Sequence, residues 1–313
     1  MLVLALITVS MNAQTTITEV INAFNAGATE VNAGNFDAAI AKFEETIALA
    51  DELGEEGDEM KANAMGQIPA LHYRVAMDTY KAKDIPGAIE KFEATVESCD
   101  KYGNEDIKAK SLKYIPQLYN AVGNSEVKAG EFDAAIASFD KAIEYKPDYA
   151  RAMYGKAMVY KKQKDEANML ATMEKAVEVG TASGDEKTTA AAKKTLRDHY
   201  VNAGKLNFKA EEYDKAIQNF ETSYKYDAEY TDPYYLTCVI HGKQSEFEKA
   251  IEYGLKAAEY EEESGQAKIW YEVGNAYESL VEYDKACEAF SKALVEPYMN
   301  SVKHKMDNVL DCQ

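Results

Sequence analysis

Apolar residues recur along this chain at a spacing that predicts helices with one buried face. In the stretch GEFDAAIASFDKAIEYKPDYA, residues 130–150, apolar side chains stand at Phe132, Ala135 and Phe139. Steps of three and four residues place these side chains on the same face of an α-helix. A looser copy of this stretch, GNFDAAIAKFEETIALAD, occupies residues 34–51. The two copies therefore predict two helices that bury the same kind of stripe.

The same pattern can be laid over the chain seven times. Each copy centres on one apolar residue, here named the anchor. In most copies an aromatic residue follows the anchor by four positions, and a small residue precedes it by twelve. The anchors are Ala39, Ala88, Ala135, Met169, Ala216, Ala250 and Ala286. Because the small residue belongs to a preceding helix and allows a close approach, each copy predicts an antiparallel helix pair.

Short breaks separate the two predicted helices of each pair. Segments such as AGNFD, AGEFD and VEYDK join a residue that ends one helix to an acidic residue that favours the start of the next. Successive anchors are 49, 47, 34, 47, 34 and 36 residues apart. Three intervals are therefore longer than the rest, and Pro69 and Pro116 stand at matching positions in two of them. We expect the extra residues to lengthen helices instead of forming a separate domain.

On these residues the chain resembles the tetratricopeptide repeat (TPR) family. The seventh copy fits the family pattern with Trp270, Gly274, Tyr277, Tyr283, Ala286, Phe290 and Ala293. The resemblance implies an all-α, right-handed α-solenoid of about seven TPR-like helix pairs, some with extended first helices. Residues 14–296 would form this repeat array. Residues 297–313 would supply a C-terminal capping helix and tail, because a solenoid needs its last apolar face covered.

The resemblance also implies where a partner would bind. In TPR arrays the first helices of successive pairs line a concave groove that often holds an extended peptide or a partner helix. Residues fifteen and eleven positions before each anchor are expected to face this groove. The candidate binding residues are Tyr73, Met77, Asn120, Asn124, Tyr154, Met158, Lys205, Tyr235 and Tyr271. Tyrosine is also common at the first of these positions for packing, so a structural role stays open for these rings.

Lysine recurs seven positions before several anchors. These residues are Lys81, Lys128, Lys162, Lys209 and Lys243. They would offset the dipole at the end of a first helix, or they would form a positive groove rim that favours an acidic or C-terminal peptide. One known TPR groove clamps a terminal carboxylate with Lys and Asn one turn apart in the first pair. Phe24 and Ala28 occupy those places here, so the resemblance does not extend to that clamp.

Composition and charge narrow the function classes. The net charge of −19 and the isoelectric point near 4.7 argue against nucleic acid as a partner. The four histidines are scattered, and no metalloprotease, nucleophile-elbow or phosphate-loop motif occurs, so no enzyme, metal site or cofactor is expected. Cys99, Cys238, Cys287 and Cys312 lack CxxC spacing. The sequence permits a disulfide without requiring one.

The first residues of the sequence are typical of a targeting segment. Residues 1–13, MLVLALITVSMNA, contain no charged side chain and resemble the hydrophobic region of a secretory signal peptide, with cleavage after Ala13. A buried first helix is the alternative. We therefore expect an exported protein, periplasmic or extracellular, whose mature chain has no membrane insertion because no later window is sufficiently apolar.

These observations favour a non-enzymatic scaffold that binds a protein or peptide segment in the concave groove of its helix pairs. A second hypothesis is a structural adaptor that self-associates as a homo-oligomer or assembles end to end through its terminal helices. Both hypotheses need only surface complementarity and no cofactor.

Overall fold

The structure, a computed structural model, describes residues 15–310 and residue 312, and the regular elements in this part of the chain are helical. Fourteen α-helices form seven consecutive pairs, which confirms the predicted all-α fold. The pairs are α1 (Ile17–Ala33) and α2 (Phe36–Leu53), α3 (Asp58–Lys81) and α4 (Ile85–Tyr102), α5 (Glu105–Ala129) and α6 (Phe132–Tyr145), α7 (Ala150–Gln163) and α8 (Glu166–Ser183), α9 (Glu186–Lys209) and α10 (Tyr213–Tyr224), α11 (Thr231–Lys243) and α12 (Phe247–Tyr260), and α13 (Ala267–Ser279) and α14 (Tyr283–Lys292). A short helix α15 (Met299–Lys305) and a π-helical turn (Met306–Leu310) follow.

The chain divides into two compact units, and the division falls after Thr172, within α8. The first unit contains α1 to α7, and the second contains α9 to α15. Over the described residues, no helix has the length and apolar character needed to cross a bilayer. The predicted signal peptide, residues 1–13, lies outside the described residues.

Each pair turns at the residue five positions before its anchor, and this residue has a left-handed backbone conformation in all seven pairs. The φ values are 80° at Gly34, 65° at Lys83, 83° at Gly130, 61° at Lys164, 61° at Glu211, 62° at Ser245 and 63° at Val281. Only two of these residues are glycine. Because a side chain makes this conformation costly by about 1–2 kcal/mol, we infer that the packing of the two helices imposes the turn at the other five.

Small residues let the two helices of a pair meet, as predicted. A β-carbon placed on Gly204 of α9 would lie 2.4 Å from Cε1 of Phe220, the aromatic residue four positions after the anchor of α10. The anchor Ala216 and the Phe220 side chain are both fully buried. In the sixth pair the larger residue is on the first helix and the smaller one is on the second. Cys238 stands at the position of the small residue, and Gly254 stands at the position of the aromatic residue. Gly254 instead meets Val273 of the next pair.

The longer intervals between anchors do lengthen helices. The first helices α3, α5 and α9 have 24, 25 and 24 residues, whereas α7, α11 and α13 have 14, 13 and 13. Pro69 and Pro116 lie inside α3 and α5. No separate domain is inserted among the described residues.

The helix α15 packs against the last pair of the array. Val302 of α15 is fully buried against Ala286 and Phe290 of α14. A disulfide joins Cys287 of α14 to Cys312, with their Cα atoms 5.7 Å apart. The terminal segment is therefore held to the last pair both by apolar packing and by a covalent bond.

Candidate functional site

The first helices of successive pairs pack against one another. In the first unit α1 contacts α3, α3 contacts α5, and α5 contacts α7; in the second, α9 contacts α11 and α11 contacts α13. The second helices α2, α4 and α6, and likewise α10, α12 and α14, make no comparable contact among themselves. The first helices of each unit therefore form one continuous face, here named the inner face. This face is the candidate site.

The six predicted residues of the first unit lie on three neighbouring first helices. Tyr73 and Met77 are on α3, Asn120 and Asn124 on α5, and Tyr154 and Met158 on α7. The tyrosine and methionine side chains are half-buried, Asn120 is buried, and Asn124 is exposed. These three first helices thus carry partly accessible aromatic and thioether groups beside two amides.

Tyr73 also has a structural role. Its ring lies 5.9 Å from that of Phe92, edge to face, and it packs on the cluster formed by Ala88, Ile89 and Phe92. Burial, followed by the neighbouring Tyr114, raises the pKa of the Tyr73 hydroxyl. Met77 packs on the same cluster. These contacts show that Tyr73 contributes to the packing of the hydrophobic core.

Asn120 has an unsatisfied polar atom. Its side chain is only 8% exposed, and its Oδ1 atom has no hydrogen-bond partner among the described residues. Asn124 does not supply that partner, because its Nδ2 atom donates to the backbone carbonyl of Asn120 at 2.7 Å. A buried carbonyl oxygen without a donor costs about 1–3 kcal/mol. The Oδ1 atom of Asn120 is therefore a buried acceptor that the described part of the fold leaves without a donor.

The three predicted residues of the second unit are engaged with neighbours. Lys205 of α9 donates to Asp232 of α11 at 2.7 Å. The ring of Tyr235 lies 5.1 Å from the Lys268 ammonium, and burial raises the pKa of Tyr235 to about 12. Tyr271 is within hydrogen-bonding distance of Ser301, at 3.1 Å. All three predicted side chains of the second unit are therefore already in contact with neighbouring residues.

Sequence reasoning missed Glu272, which follows the predicted residue Tyr271. Glu272 lines a cleft of about 340 Å³ between α11 and α13, together with Cys238, Lys243 and Asn275. Burial raises the pKa of the Glu272 carboxyl, while a hydrogen bond with Asn275 and the charge of Lys243 act in the opposite direction. The sequence offered one indication that Glu272 lies near the candidate site, because this residue directly follows the predicted groove residue Tyr271.

The recurring lysines lie where the helix-dipole interpretation places them. Lys81, Lys128, Lys162, Lys209 and Lys243 are all in the last turn of a first helix. Of these, Lys243 also lines the cleft beside Glu272. Among the described residues, no group of three or more metal-ligating side chains comes together.

Comparisons with known proteins identify repeats in this chain. A family profile described as TPR repeat matches residues 123–164, and one described as tetratricopeptide repeat matches residues 150–179 and 267–294. The first two stretches include α6 to most of α8, and the third includes α13 and α14. These stretches of the chain are therefore similar to tetratricopeptide repeats, as the sequence pattern predicts.

Two curated relatives resemble part of the chain. Stress-induced-phosphoprotein 1 of Caenorhabditis elegans is 28% identical over 181 residues, which are 58% of this chain and 52% of the relative. The Hsp70-Hsp90 organizing protein of Triticum aestivum is 24% identical over 204 residues, 60% of this chain and 33% of the relative. The chain thus spans about half, or less, of each relative's length. Among solved structures, the P58(IPK) TPR domain is 15% identical with a TM-score of 0.34, covering 94% of this chain and 98% of that domain.

Proposed function

We propose that this chain is a non-enzymatic binding module that holds a segment of a partner protein on the inner face formed by its first helices. The contacts among first helices give this face a continuous surface within each unit. Half-buried Tyr154 and Met158 add apolar groups that adapt to different side chains. Tetratricopeptide repeats in the sequence support the same class of function.

Asn120 is the observation that carries the proposal. Its Oδ1 atom is buried and lacks a donor among the described residues, so a ligand would meet this atom only after the side chain turns toward the surface. A backbone N–H of an extended peptide is a donor of suitable chemistry, since such a peptide has N–H groups free along its length. Binding would then satisfy an acceptor that the folded chain leaves unpaired.

The relatives support protein binding without fixing the partner. One relative is named as an organizing protein for Hsp70 and Hsp90. In the present chain Phe24, at the place of the clamp lysine, packs its ring 5.3 Å from that of Phe43. The first pair therefore lacks the cation that a terminal carboxylate would need at this place. We propose an internal, extended segment as the ligand.

The inner face can be tested with a displayed library of short random peptides and the full chain as bait. We expect the double substitution Tyr154→Ala and Met158→Ala to weaken binding of the selected peptides by about tenfold or more. Tyr160→Ala is the control, because Tyr160 lies on the same helix but outside the predicted positions. Equal losses in both variants, or no loss in the double variant, would contradict the proposal.

Export to an oxidising compartment is part of the proposal. The apolar residues 1–13 led to this expectation, and the Cys287–Cys312 disulfide supports it, because structural disulfides persist outside the reducing cytosol. Mass spectrometry of the protein purified from its native source would test it. An intact N-terminus together with free Cys287 and Cys312 thiols would overturn it.

Self-association is the second candidate function. The end of the array exposes apolar side chains at Val281 (64%), Tyr283 (49%) and Val309 (54%). Exposed apolar side chains at a terminal pair suit an end-to-end contact between copies. Light scattering over a concentration series tests this candidate, and a monomer at every concentration would exclude it.

A further inference from the structure

The cations of α5 and α7 fall into two groups. Lys108 of α5 and Lys156 of α7 pair with Asp100 and Asp140, which belong to the preceding second helices. The others are exposed, and no hydrogen bond or ion pair joins their side chains to another residue in the described part of the chain. These unpaired cations are Lys110, Lys113 and Lys128 on α5, and Arg151, Lys161 and Lys162 on α7.

The unpaired cations of α5 lie on the side that its neighbours leave free. The helix α5 packs against α3, α4, α6 and α7, so its exposed residues mark the one side that belongs to the inner face. Four of these exposed residues follow one another at steps of four, seven and four positions: Lys113, Gln117, Asn124 and Lys128. This spacing places them in one stripe along the helix. The stripe is cationic or amide from end to end.

The helix α7 continues the same surface. Arg151, Tyr154, Met158 and Lys162 follow at steps of three, four and four positions, which again places them on one side of a helix. Tyr154 and Met158 are the half-buried residues predicted to bind a partner, and both cations are exposed. The predicted apolar groups of the inner face are therefore bordered by positive charge.

Carboxylates are nearly absent from these two helices. The helix α7 contains no acidic residue, and α5 has none between Asp106 in its first turn and Glu126, which accepts a hydrogen bond from Ser138. In the second unit the first helices carry both signs, and Lys205 pairs with Asp232. The whole chain has a net charge of −19. The inner face of the first unit is thus a positive surface on an acidic protein.

The stability of the helices does not account for all of these cations. Lys128, Lys161 and Lys162 lie in the last turn of their helices, where the helix dipole favours a cation. Arg151 is the second residue of α7, at the end where the dipole disfavours a cation, and Lys113 lies in the first half of α5. Neither the dipole nor an ion pair stabilises these two side chains. A ligand of opposite charge would.

We propose that the segment held on the inner face of the first unit is acidic, an inference that rests on the function proposed above. Its carboxylates would pair with Lys113, Lys128 and Arg151, and its apolar side chains would contact Tyr154 and Met158. Lys113 and Lys128 lie about 22 Å apart along α5, at 1.5 Å per residue. An extended segment of about seven residues covers this distance.

The test uses an acidic octapeptide, six glutamates with two leucines, and measures its binding to the full chain by calorimetry at low salt. The counterpart with glutamine at the six positions should bind about tenfold or more weakly. Lys113→Gln with Arg151→Gln should weaken binding of the acidic peptide by about fivefold or more, since two charge pairs are lost. Lys42→Gln with Lys141→Gln is the matched control, because it removes the same charge from second helices of this unit. Equal weakening by both double variants would overturn the proposal.

Reversing the two charges should reverse the preference. We expect Lys113→Glu with Arg151→Glu to lose the acidic peptide and to bind its lysine counterpart better than the wild-type chain does. Lys42→Glu with Lys141→Glu should keep the preference for the acidic peptide, and circular dichroism shows that both variants fold. A reversed variant that still prefers the acidic peptide would contradict the site. Tighter binding of octathymidylate than of the acidic peptide would assign the face to nucleic acid and would also overturn the proposal.

The acidic segment and the proposed function fail in different ways. Neutral peptides from the random library might lose binding in the Tyr154 and Met158 double variant and keep it in Lys113→Gln with Arg151→Gln. That result would overturn the acidic segment and leave the proposed function intact. Library binding that is unaffected by Tyr154→Ala with Met158→Ala would overturn the proposed function and this inference with it.

Discussion

Gly204 and Phe220 are in direct contact, so that a β-carbon at Gly204 would lie 2.4 Å from the ring. We expect Gly204→Ala to lower the free energy of unfolding by about 1–3 kcal/mol, because the buried ring must shift. Gly66→Ala in α3 is the control, since nothing lies within 4 Å of its added methyl group. The control should gain about 0.5–1 kcal/mol from helix propensity. Urea denaturation followed by circular dichroism measures both, and a gain in both variants would refute the contact argument.

Val281 turns the seventh pair with φ of 63° and is 64% exposed. Val281→Gly should raise the free energy of unfolding by about 1 kcal/mol, because glycine adopts this conformation without steric cost. Val281→Ala removes the same exposed side chain but keeps the strain, so it should change stability little. In the opposite direction, Gly34→Val should be destabilising. Thermal melts of the three variants check this, and a Val281→Gly variant no more stable than Val281→Ala would contradict it.

The Glu93 carboxylate accepts hydrogen bonds from Tyr119 and Tyr145. Burial, followed by the bond to Glu93, raises the pKa of Tyr119 to about 12, and the pKa of Tyr145 is raised for the same reasons. The unfolded chain releases these protons near pH 10. The contribution of these two tyrosines to the free energy of unfolding is therefore fully present below about pH 10. It is lost as the pH rises toward about 12.

Glu93→Gln should bring the ionisation of these two tyrosines closer to pH 10. An ultraviolet titration of tyrosinate absorbance measures it, and Glu90→Gln, an exposed residue of the same helix, is the control. The hypothesis fails if the two variants titrate identically.

The Cys287–Cys312 disulfide closes a loop between residues 25 positions apart. Cys312→Ser should destabilise the terminal segment by up to about 3 kcal/mol through the loss of this restraint. Trp270, the single tryptophan, packs beside the buried end cluster and reports on the last pair by fluorescence. Under denaturing conditions the wild-type chain should present two free thiols, Cys99 and Cys238, before reduction. Detection of four thiols before reduction would disprove the bond.

Asn120 couples stability to binding. Asn120→Leu should raise the free energy of unfolding of the free chain by about 1–3 kcal/mol, because it removes an unsatisfied buried acceptor. The same substitution should weaken binding of the peptides selected on the inner face. Asn124→Leu is the control, since Asn124 is exposed and bonds only to its own helix. A variant of Asn120 that loses stability and keeps its affinity would contradict the assigned role.

The repeat pattern alone predicted a large part of this architecture. The spacing of the anchors predicted seven helix pairs, the lengthened helices and a close approach at Gly204, because the periodic burial of a helix depends on the local order of residues. It also placed the candidate residues on the first helices. Their contacts on the inner face, such as that between Lys205 and Asp232, could be seen only in the structure.

The remaining features depend on residues that are distant in sequence. The unpaired Oδ1 of Asn120 exists only because the fold brings some groups together and keeps others apart. The pairing of Cys287 with Cys312 likewise follows from the path of the terminal segment. The local sequence determines which residues of a helix are buried. Whether each buried polar group finds a hydrogen-bond partner depends on the neighbours that tertiary packing brings to it.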